Sequence, residues 1–418
     1  MLALCFLQAA ATGADAQSSG SGAGTPLQQT VAAALPFDLN VHGFLLGIGT
    51  GRVTGEQPPG GNPFALGEER ARFNVTAEPS SGGPEVVIKG DLLYDNIGNA
   101  VDDDLREAYV TRSLGPLDVS VGRHIVTWGV GDLFFINDVF PKDWYSYFSG
   151  LPMEYLKLGV DSLRMTYSSQ VMNADFLAIP FVTSDNFPPP SRFLMFNPLA
   201  TLPNQRQSEP ATRLSDTEVA LRLYRNVMDS DVSLYFYNGF WNEPFLERNR
   251  LISPTTATQF YPRLRVYGAS MQRNLFDGVV SLETGYYDSA EPNSEWRLLA
   301  GYQREVWQDF TAGLQFYGEF AAHSKPSPDS LVVAYPPADQ FISTRLTQLL
   351  DYQTWTLSLF AAYSPGHRDY FVRPMVTYQA TDRLSVYLGA SIFGGPKSTF
   401  FGEFDGSDVV FLGVRFDY

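Results

Sequence analysis

From residue 37 onward the chain alternates between two sets of positions in segments of about ten residues. One such segment sets Leu384, Val386, Leu388 and Ala390 against Ser385, Tyr387, Gly389 and Ser391. A period of two is that of a β-strand, whose successive side chains point to opposite faces of a sheet. About ten residues is also the length of a tilted strand that crosses a bilayer. The pattern therefore predicts membrane-spanning β-strands.

The links between these segments alternate in length. Short links occur at 80–84, 114–116, 170–173, 227–230, 275–277, 307–309, 350–353 and 380–383. The links between them are mostly longer, at 54–67, 96–104, 129–159, 180–213, 242–262, 324–342 and 395–406, with two short ones at 290–294 and 365–368. Outer-membrane barrels have short periplasmic turns and longer extracellular loops. We therefore predict an all-β, antiparallel up-and-down barrel of eighteen strands, with sixteen as the alternative.

The two ends of the chain carry export and insertion signals. Residues 1–16 resemble a signal peptide that ends in Ala14-Asp15-Ala16, and residues 17–36 form a Gly/Ser-rich periplasmic linker. Residues 37–418 are assigned to the barrel of a Gram-negative outer membrane. The last segment places one alternating set toward lipid and ends in an aromatic residue, which is typical of the strand that the barrel-assembly machinery recognises. This set comprises Leu412, Val414, Phe416 and Tyr418.

Charge and residue types exclude several functions. The net charge of -16 argues against a nucleic-acid partner and suits loops facing a cation-rich lipopolysaccharide surface. The only cysteine, Cys5, lies in the signal peptide, so the mature barrel would contain no disulfide. The sequence has no G-x-S-x-G motif, and its four histidines lack metal-ligand spacing. We predict no cofactor, no metal and no enzymatic activity; His124 with Asp132 is the one catalytic pair worth examining.

The link at 129–159 is unusually aromatic for a loop exposed to water. It contains Phe134, Phe135, Phe140, Trp144, Tyr145, Tyr147 and Phe148. Exposing such a patch would be unfavourable, so we expect the segment to fold into the lumen or to plug the barrel mouth. A lid against a neighbouring protomer is the alternative. The predicted constriction and lumen residues are Arg123, His124, Trp128, Asp132, Phe134, Phe135, Asp138, Phe140, Asp143, Trp144 and Arg164.

The same region carries a motif of the form G-R-[QH]-x-x-x-W-G-x-x-D. Its residues here are Gly122, Arg123, His124, Trp128, Gly129 and Asp132, followed by Asn137, Asp138, Pro141, Asp143, Leu151, Pro152 and Met153. This stretch resembles a poorly characterised family of porin-like outer-membrane proteins. The match covers residues 120–200, and it departs from the family at His124 and Phe140. The resemblance implies an outer-membrane channel or transporter and leaves its substrate open.

Arginine is used far more than lysine, with 24 Arg and 5 Lys. Many of these arginines lie in predicted strands, where a charge facing lipid near the midplane costs about 2–4 kcal/mol. We therefore expect most of them to point inward and to pair with strand carboxylates. For Arg123 and Arg164, near the predicted constriction, the selection of anions is kept as an alternative to ion pairing. Aromatic residues near strand ends are expected to form interfacial girdles, among them Tyr167, Trp241, Tyr287, Trp307, Trp355 and Tyr363.

These features predict a channel or porin-like transporter for small or amphiphilic solutes, narrowed by the segment 129–159. One alternative is a conduit for hydrophobic substrates through the aromatic segment. Another is a sheath around a multiheme cytochrome, although the chain contains no C-x-x-C-H motif of its own. Outer-membrane lipid and lipopolysaccharide are the expected partners. The sequence leaves open whether the barrel forms a homo-oligomer.

Overall fold

The computed structural model describes residues 37–54, 57–58, 61–79, 82–197, 201–211, 213–249, 255–289, 293–324, 330–333 and 339–418. The predicted signal peptide at 1–16 and linker at 17–36 lie outside the described residues. No helix within the described ranges is long and apolar enough to cross a bilayer.

Eighteen strands form one closed antiparallel sheet. They are β1 (Phe37–Arg52), β2 (Phe64–Pro79), β3 (Glu85–Asp95), β4 (Ala100–Leu114), β5 (Leu117–Ile125), β6 (Gly159–Tyr167), β7 (Asn173–Ile179), β9 (Glu218–Val227), β10 (Ser230–Phe240), β13 (Arg263–Leu275), β14 (Gly278–Ser289), β15 (Asn293–Trp307), β16 (Phe310–Ser324), β18 (Gln340–Leu350), β19 (Trp355–Tyr363), β20 (Tyr370–Gln379), β21 (Leu384–Gly394) and β22 (Val409–Asp417). β1 pairs with both β2 and β22, which closes the ring. The predicted fold and the strand number of eighteen are confirmed.

Four short strands in the longer links form a second sheet. They are β8 (Asn204–Ser208), β11 (Phe245–Asn249), β12 (Thr256–Phe260) and β17 (Ser330–Val333). One short helix, α1 (Trp144–Phe148), and three 3-10 turns, Met153–Leu156, Leu214–Asp216 and Gly402–Phe404, complete the secondary structure of the described residues. Apart from β8, β11, β12 and β17, the chain runs around the ring in sequence order.

The short links are tight hairpin turns. Met228 and Asp229 have φ of 50° and 60°, and Phe276 and Asp277 have φ of 56° and 59°. Two consecutive residues with positive φ form a turn whose twist matches that of the flanking strands. Tight turns of this kind leave one end of the barrel compact, while the longer links gather at the other end.

The two faces of the wall differ in exposure, as the alternation predicts. On β22, Val410, Leu412 and Val414 are 39–50% exposed, whereas Val409 and Phe411 are fully buried. The exposed set continues around the barrel as an apolar belt, and a closed ring leaves no unpaired strand edge in lipid. The protein is an integral β-barrel of the outer membrane.

The link predicted at 96–104 is shorter than expected. β4 begins at Ala100, and Asp102, Asp103 and Asp104 pair with β3 rather than lying in a loop. Asp102 and Asp103 are exposed, so this hairpin extends its backbone pairing while its carboxylates stay hydrated. The predicted end of this link, at residue 104, is therefore wrong.

Candidate functional site

The link between β5 and β6, residues 126–158, lies inside the barrel. Phe134 stacks on Tyr317 of β16 and Phe341 of β18, with ring centroids 5.0 and 4.9 Å apart. Phe148 packs edge-on against Phe393 of β21 at 5.0 Å. Trp128, Phe140 and Trp144 are also at most 5% exposed. We refer to residues 126–158 as the inner segment.

A single wall carboxylate holds the first half of the inner segment. Glu283 of β14 accepts hydrogen bonds from Val130 N at 2.9 Å and from Asn137 N at 2.7 Å. Its Oε1 also accepts from Asn137 Nδ2 at 2.9 Å. Glu283 is only 4% exposed, so these donors take the place of water around its carboxylate.

Two glycines beside Glu283 make room for this contact. Gly268 of β13 pairs with Gly285 of β14 in the sheet. A Cβ at Gly268 would lie 1.6 Å from Asn137 Oδ1, and one at Gly285 would lie 2.7 Å from Ile136 Cγ2. Any side chain that points inward at Gly268 would therefore overlap the inner segment.

Further contacts hold the inner segment to other parts of the ring. Arg345 of β18 forms a bidentate ion pair with Asp132, with one bond of 2.7 Å. The carbonyl of Ser149 accepts from Thr50 Oγ1 of β1 at 2.6 Å. Two more wall arginines donate to main-chain carbonyls of the segment: Arg373 to Leu151 at 3.1 Å, and Arg106 to Glu154 and Lys157 at 2.7 Å each.

Guanidinium groups gather around Tyr155 at one side of the lumen. The Cζ atoms of Arg70, Arg72 and Arg106 lie 4.7, 5.0 and 5.1 Å from the centroid of its ring. Four carboxylates form ion pairs with these arginines and offset their charge, namely Glu68, Asp91, Asp104 and Glu154. As predicted for most strand arginines, these three point inward and are nearly fully buried.

Carboxylates predominate on the opposite wall. Glu283, Glu295 and Glu319 lie on the adjacent strands β14, β15 and β16, with Arg297 between the latter two. Strands β2 and β14 are nine positions apart in the ring of eighteen, so the two groups face each other across the lumen.

Asp143, predicted at the constriction, has a structural role. It caps the N-terminus of α1, accepting from Ser146 N at 2.8 Å and from Ser146 Oγ at 2.7 Å. Asn186 Nδ2 donates a further hydrogen bond to it at 3.0 Å. Burial raises the pKa of the Asp143 carboxyl. Its carboxylate oxygens therefore accept hydrogen bonds from the helix and from the neighbouring loop rather than facing the lumen.

Asp138 is enclosed by two lysines of the inner segment. Lys142 Nζ lies 3.0 Å from one carboxylate oxygen, and Lys157 Nζ binds the other. Both ammonium groups lie over the ring of Phe135, at 4.6 and 4.3 Å from its centroid. Burial, together with repulsion from Lys142, lowers the pKa of Lys157 to about 8.

A cavity lies between the inner segment and the extracellular ends of the strands. It offers about 170 Å³ of space accessible to water, which is several times the volume that one water molecule requires. Its charged lining comprises six carboxylates and two cations, namely Asp138, Asp185, Glu243, Glu295, Glu319, Asp339, Lys142 and Arg297. The apolar lining includes Phe134, Phe140, Trp144, Trp241, Phe245, Tyr317, Phe341, Phe400 and Phe401. We call this space the outer vestibule.

Two loop carboxylates of the outer vestibule have perturbed ionisation. Burial raises the pKa of Asp185 to about 6, although it accepts hydrogen bonds from Lys142 N and Trp144 Nε1 at 2.8 and 3.0 Å. Burial, reinforced by the nearby Asp185, raises the pKa of Glu243 to about 7. Glu243 forms no salt bridge among the described residues. A cation entering the vestibule would therefore find a carboxylate that no described lysine or arginine pairs with.

The remaining predicted site residues lie at different places. His124 points inward, and its ring nitrogens contact Ser120 Oγ at 2.6 Å and Ser162 Oγ at 2.9 Å. It does not meet Asp132, so the catalytic pair considered from the sequence is not formed. Arg164 also points inward and forms a bidentate pair with Asp175, at 2.9 and 2.7 Å.

Arg123 was expected at the constriction, and the structure corrects this. It shares the outward face of β5 with Val121, which is 59% exposed. There it pairs with Asp161 of β6 at 2.9 Å. Two strand residues on one face of adjacent strands can neutralise each other, so the pair tolerates a position on the outer wall. Arg123 therefore cannot select ions in the lumen.

The predicted aromatic girdle is partly wrong. Tyr167, Trp307, Trp355 and Tyr363 are 41–57% exposed on the outer wall, as expected. Trp241 and Tyr287 are at most 6% exposed and belong to the internal aromatic core instead. Four residues of the site were not predicted from the sequence, namely Asp185, Glu243, Phe400 and Phe401. Glu283 and Glu319 were expected only to form ion pairs with strand arginines. Phe400 and Phe401 could have been predicted to lie inside, because they form an aromatic pair in an extracellular link, as the aromatic residues of the inner segment do.

Comparisons with family models and with curated proteins give no match. Among solved structures, OccAB3 of Acinetobacter baumannii is similar with a TM-score of 0.59 and 10% identity, over 91% of this chain and 99% of that one. OccK9 (OpdG) of Pseudomonas aeruginosa gives 0.56 and 11%, over 91% and 98%. OccK11 (OpdR) of the same organism gives 0.53 and 10%, over 91% and 95%. At such identities the likeness shows the fold alone, and the family resemblance of residues 120–200 stays a prediction.

Proposed function

We propose that the chain is a porin-like channel that passes small organic cations, especially amines with an apolar body. The observation that carries this proposal is the lining of the outer vestibule, where six carboxylates face two cationic side chains. Arg297 pairs with Glu295 and Glu319, and Lys142 pairs with Asp138. The carboxylates of Asp185 and Glu243 remain without a lysine or arginine partner among the described residues.

The aromatic lining supports the second half of the proposal. Trp144, Trp241, Phe341 and Phe400 border the same space as these carboxylates. An ammonium group is attracted both to a carboxylate and to the face of an aromatic ring, while an apolar body packs against ring edges. Lys142 and Lys157 already occupy such positions over Phe135. The vestibule thus offers a solute cation the combination of carboxylates and aromatic rings that already surrounds the ammonium groups of Lys142 and Lys157.

The alternatives from the sequence receive less support. A conduit for hydrophobic substrates would require an apolar path, yet the vestibule wall carries eight charged side chains. A sheath around a cytochrome would require an open lumen, which the inner segment occupies. The buried contacts of Phe134 and Phe148 with the wall would have to be lost before a protein could enter.

Planar-bilayer recording of the purified barrel tests the proposal. We expect conductance steps with a reversal potential that favours potassium over chloride. We also expect stronger current block by 2-phenylethylammonium than by 3-phenylpropionate, which has a similar shape and the opposite charge. Deleting residues 133–148 should enlarge the conductance steps. A barrel that gives no conductance even after this deletion is not a channel.

The double variant Glu243→Gln, Asp185→Asn should lose most of the block by the amine. Asp382→Asn serves as the matched control, because Asp382 is exposed in a short periplasmic turn. Its block should equal that of the wild type. Stronger block by the carboxylate than by the amine would refute the cation proposal while leaving the channel itself in place.

A further inference from the structure

Three potential metal ligands meet among the extracellular loops. One carboxylate oxygen each from Asp339 and Asp369 and one ring nitrogen of His367 lie within 4.8 Å of one another. Asp339 immediately precedes β18, while His367 and Asp369 belong to the turn between β19 and β20. His367 Nδ1 is 2.8 Å from Asp339 Oδ1. Asp339 also lines the outer vestibule, whereas His367 and Asp369 have no part in the function proposed above.

Asp369 provides an independent indication of a missing ligand. It is fully buried, and its Oδ2 accepts a hydrogen bond from Phe401 N at 2.9 Å. Its Oδ1 is buried and has no hydrogen-bond donor within the part of the chain that the structure describes. A buried carboxylate oxygen without a donor is costly, and native proteins rarely leave one in that state. A cation placed beside Oδ1 would remove the penalty.

The charges around the cluster point in the same direction. Asp339 is 7% exposed, and neither aspartate forms a salt bridge with lysine or arginine among the described residues. Two buried carboxylates therefore face one imidazole. Oxygen and imidazole ligands in this ratio suit a divalent first-row metal, which binds them at about 2.0–2.2 Å. Atoms now within 4.8 Å need only small side-chain adjustments to converge on one ion.

We propose that Asp339, His367 and Asp369 form a binding site for a divalent transition-metal ion, with Zn²⁺ as the representative. The ion joins two extracellular segments, the link that precedes β18 and the turn between β19 and β20. Asp339 is held to β16 by the hydrogen bond from Glu319 N to its carbonyl at 2.7 Å. Asp369 is linked to the loop before β22 through Phe401, whose ring lines the outer vestibule. Metal binding therefore fixes part of the vestibule rim.

Isothermal titration of the full-length barrel with ZnCl₂, in detergent and without a polyhistidine tag, tests the site. We expect one ion per chain. His367→Gln and Asp369→Asn should each weaken binding at least about tenfold, since even losing a supporting contact of a metal ligand costs about that much. His42→Gln is the matched control, because His42 is exposed on β1. Its affinity should equal that of the wild type.

Binding that survives both substitutions, or that is lost with His42→Gln, would overturn the proposal. So would the absence of Zn²⁺ binding to the wild type, which would leave a plain hydrogen bond between His367 and Asp339. X-ray absorption at the zinc edge of the wild-type protein covers the case in which a variant does not fold. One imidazole with oxygen ligands is expected, whereas two imidazoles or oxygen alone would contradict the assignment.

Discussion

Glu283→Ala should release the inner segment from the wall. The substitution removes the acceptor of three hydrogen bonds, from Val130 N, Asn137 N and Asn137 Nδ2. Hydrogen bonds to a charged group contribute about 1.5–3 kcal/mol each, and they are not additive. A loss of roughly 3–6 kcal/mol is therefore expected for docking of the segment. Even the lower value raises the undocked population by about 100-fold.

Cleavage by the lysine-specific protease Lys-C measures this population. Lys142 is 3% exposed in the docked segment, so cleavage after it requires release. When opening is fast compared with cleavage, the rate follows the open population, and about a 100-fold faster cut is expected. Lys397, which is exposed in the loop before β22, gives an internal control in the same digest.

Glu283→Gln is the matched variant, because it keeps the size of the side chain and one acceptor oxygen. It should accelerate cleavage much less than Glu283→Ala does. If Lys142 in the alanine variant is cut at the wild-type rate while Lys397 is cut normally, Glu283 does not hold the inner segment in place. Equal cleavage rates at Lys142 in Glu283→Ala and Glu283→Gln would lead to the same conclusion.

Three further predictions concern packing, lipid contact and pH. Gly268→Val should displace Asn137 and raise single-channel conductance, since a Cβ there would lie 1.6 Å from Asn137 Oδ1. Leu412→Arg should destabilise the barrel toward urea by about 2–4 kcal/mol, because it places a charge on the lipid face. Selectivity for potassium over chloride should fall as pH drops from 8 to 5. The pKa values of about 6 for Asp185 and about 7 for Glu243 mean that both carboxylates become neutral in that window.

Each of these three predictions has its own control variant. Gly47→Val should leave conductance unchanged, because a Cβ at Gly47 meets nothing within 4 Å. Leu214→Arg should leave stability unchanged, since Leu214 is 90% exposed in an extracellular link. The double variant Glu243→Gln, Asp185→Asn should show little change of selectivity with pH. An equally steep pH dependence in that variant would assign the titration to other groups.

The barrel architecture could be predicted from the sequence because strand length and turn length are properties of short, local stretches of the chain. Every strand must cross the same thickness of membrane, and every second link must be a tight turn. Met228-Asp229 and Phe276-Asp277 are examples of such turns, found by length alone. The strand count could therefore be obtained without any knowledge of side-chain contacts.

The orientation of individual strands was harder to predict. Period two separates two faces, but it does not say which one is inside when the lumen itself is aromatic. Trp241 and Tyr287 therefore passed as interfacial residues although they face inward. Arg123 was assigned to the lumen on the cost of a charge in lipid, and its partner Asp161 on the neighbouring strand removed that cost.

The outer vestibule could not have been predicted from one sequence. Its carboxylates come from separate links and strands, and Asp185, Glu243 and Glu319 are far apart along the chain. Nothing in the local sequence marks any of them. They become a site only through closure of the ring, which depends on all eighteen strands.

The contacts of the inner segment have a mechanical consequence for the whole barrel. A ring of eighteen strands is wide, and a hollow cylinder of that size flattens easily under lateral pressure from the membrane. The segment is attached to β14 through Glu283 and to β1 through Thr50, on widely separated parts of the ring. It therefore acts as a cross-brace that holds the cross-section round, so that cutting it changes the shape of the cylinder as well as the width of the passage.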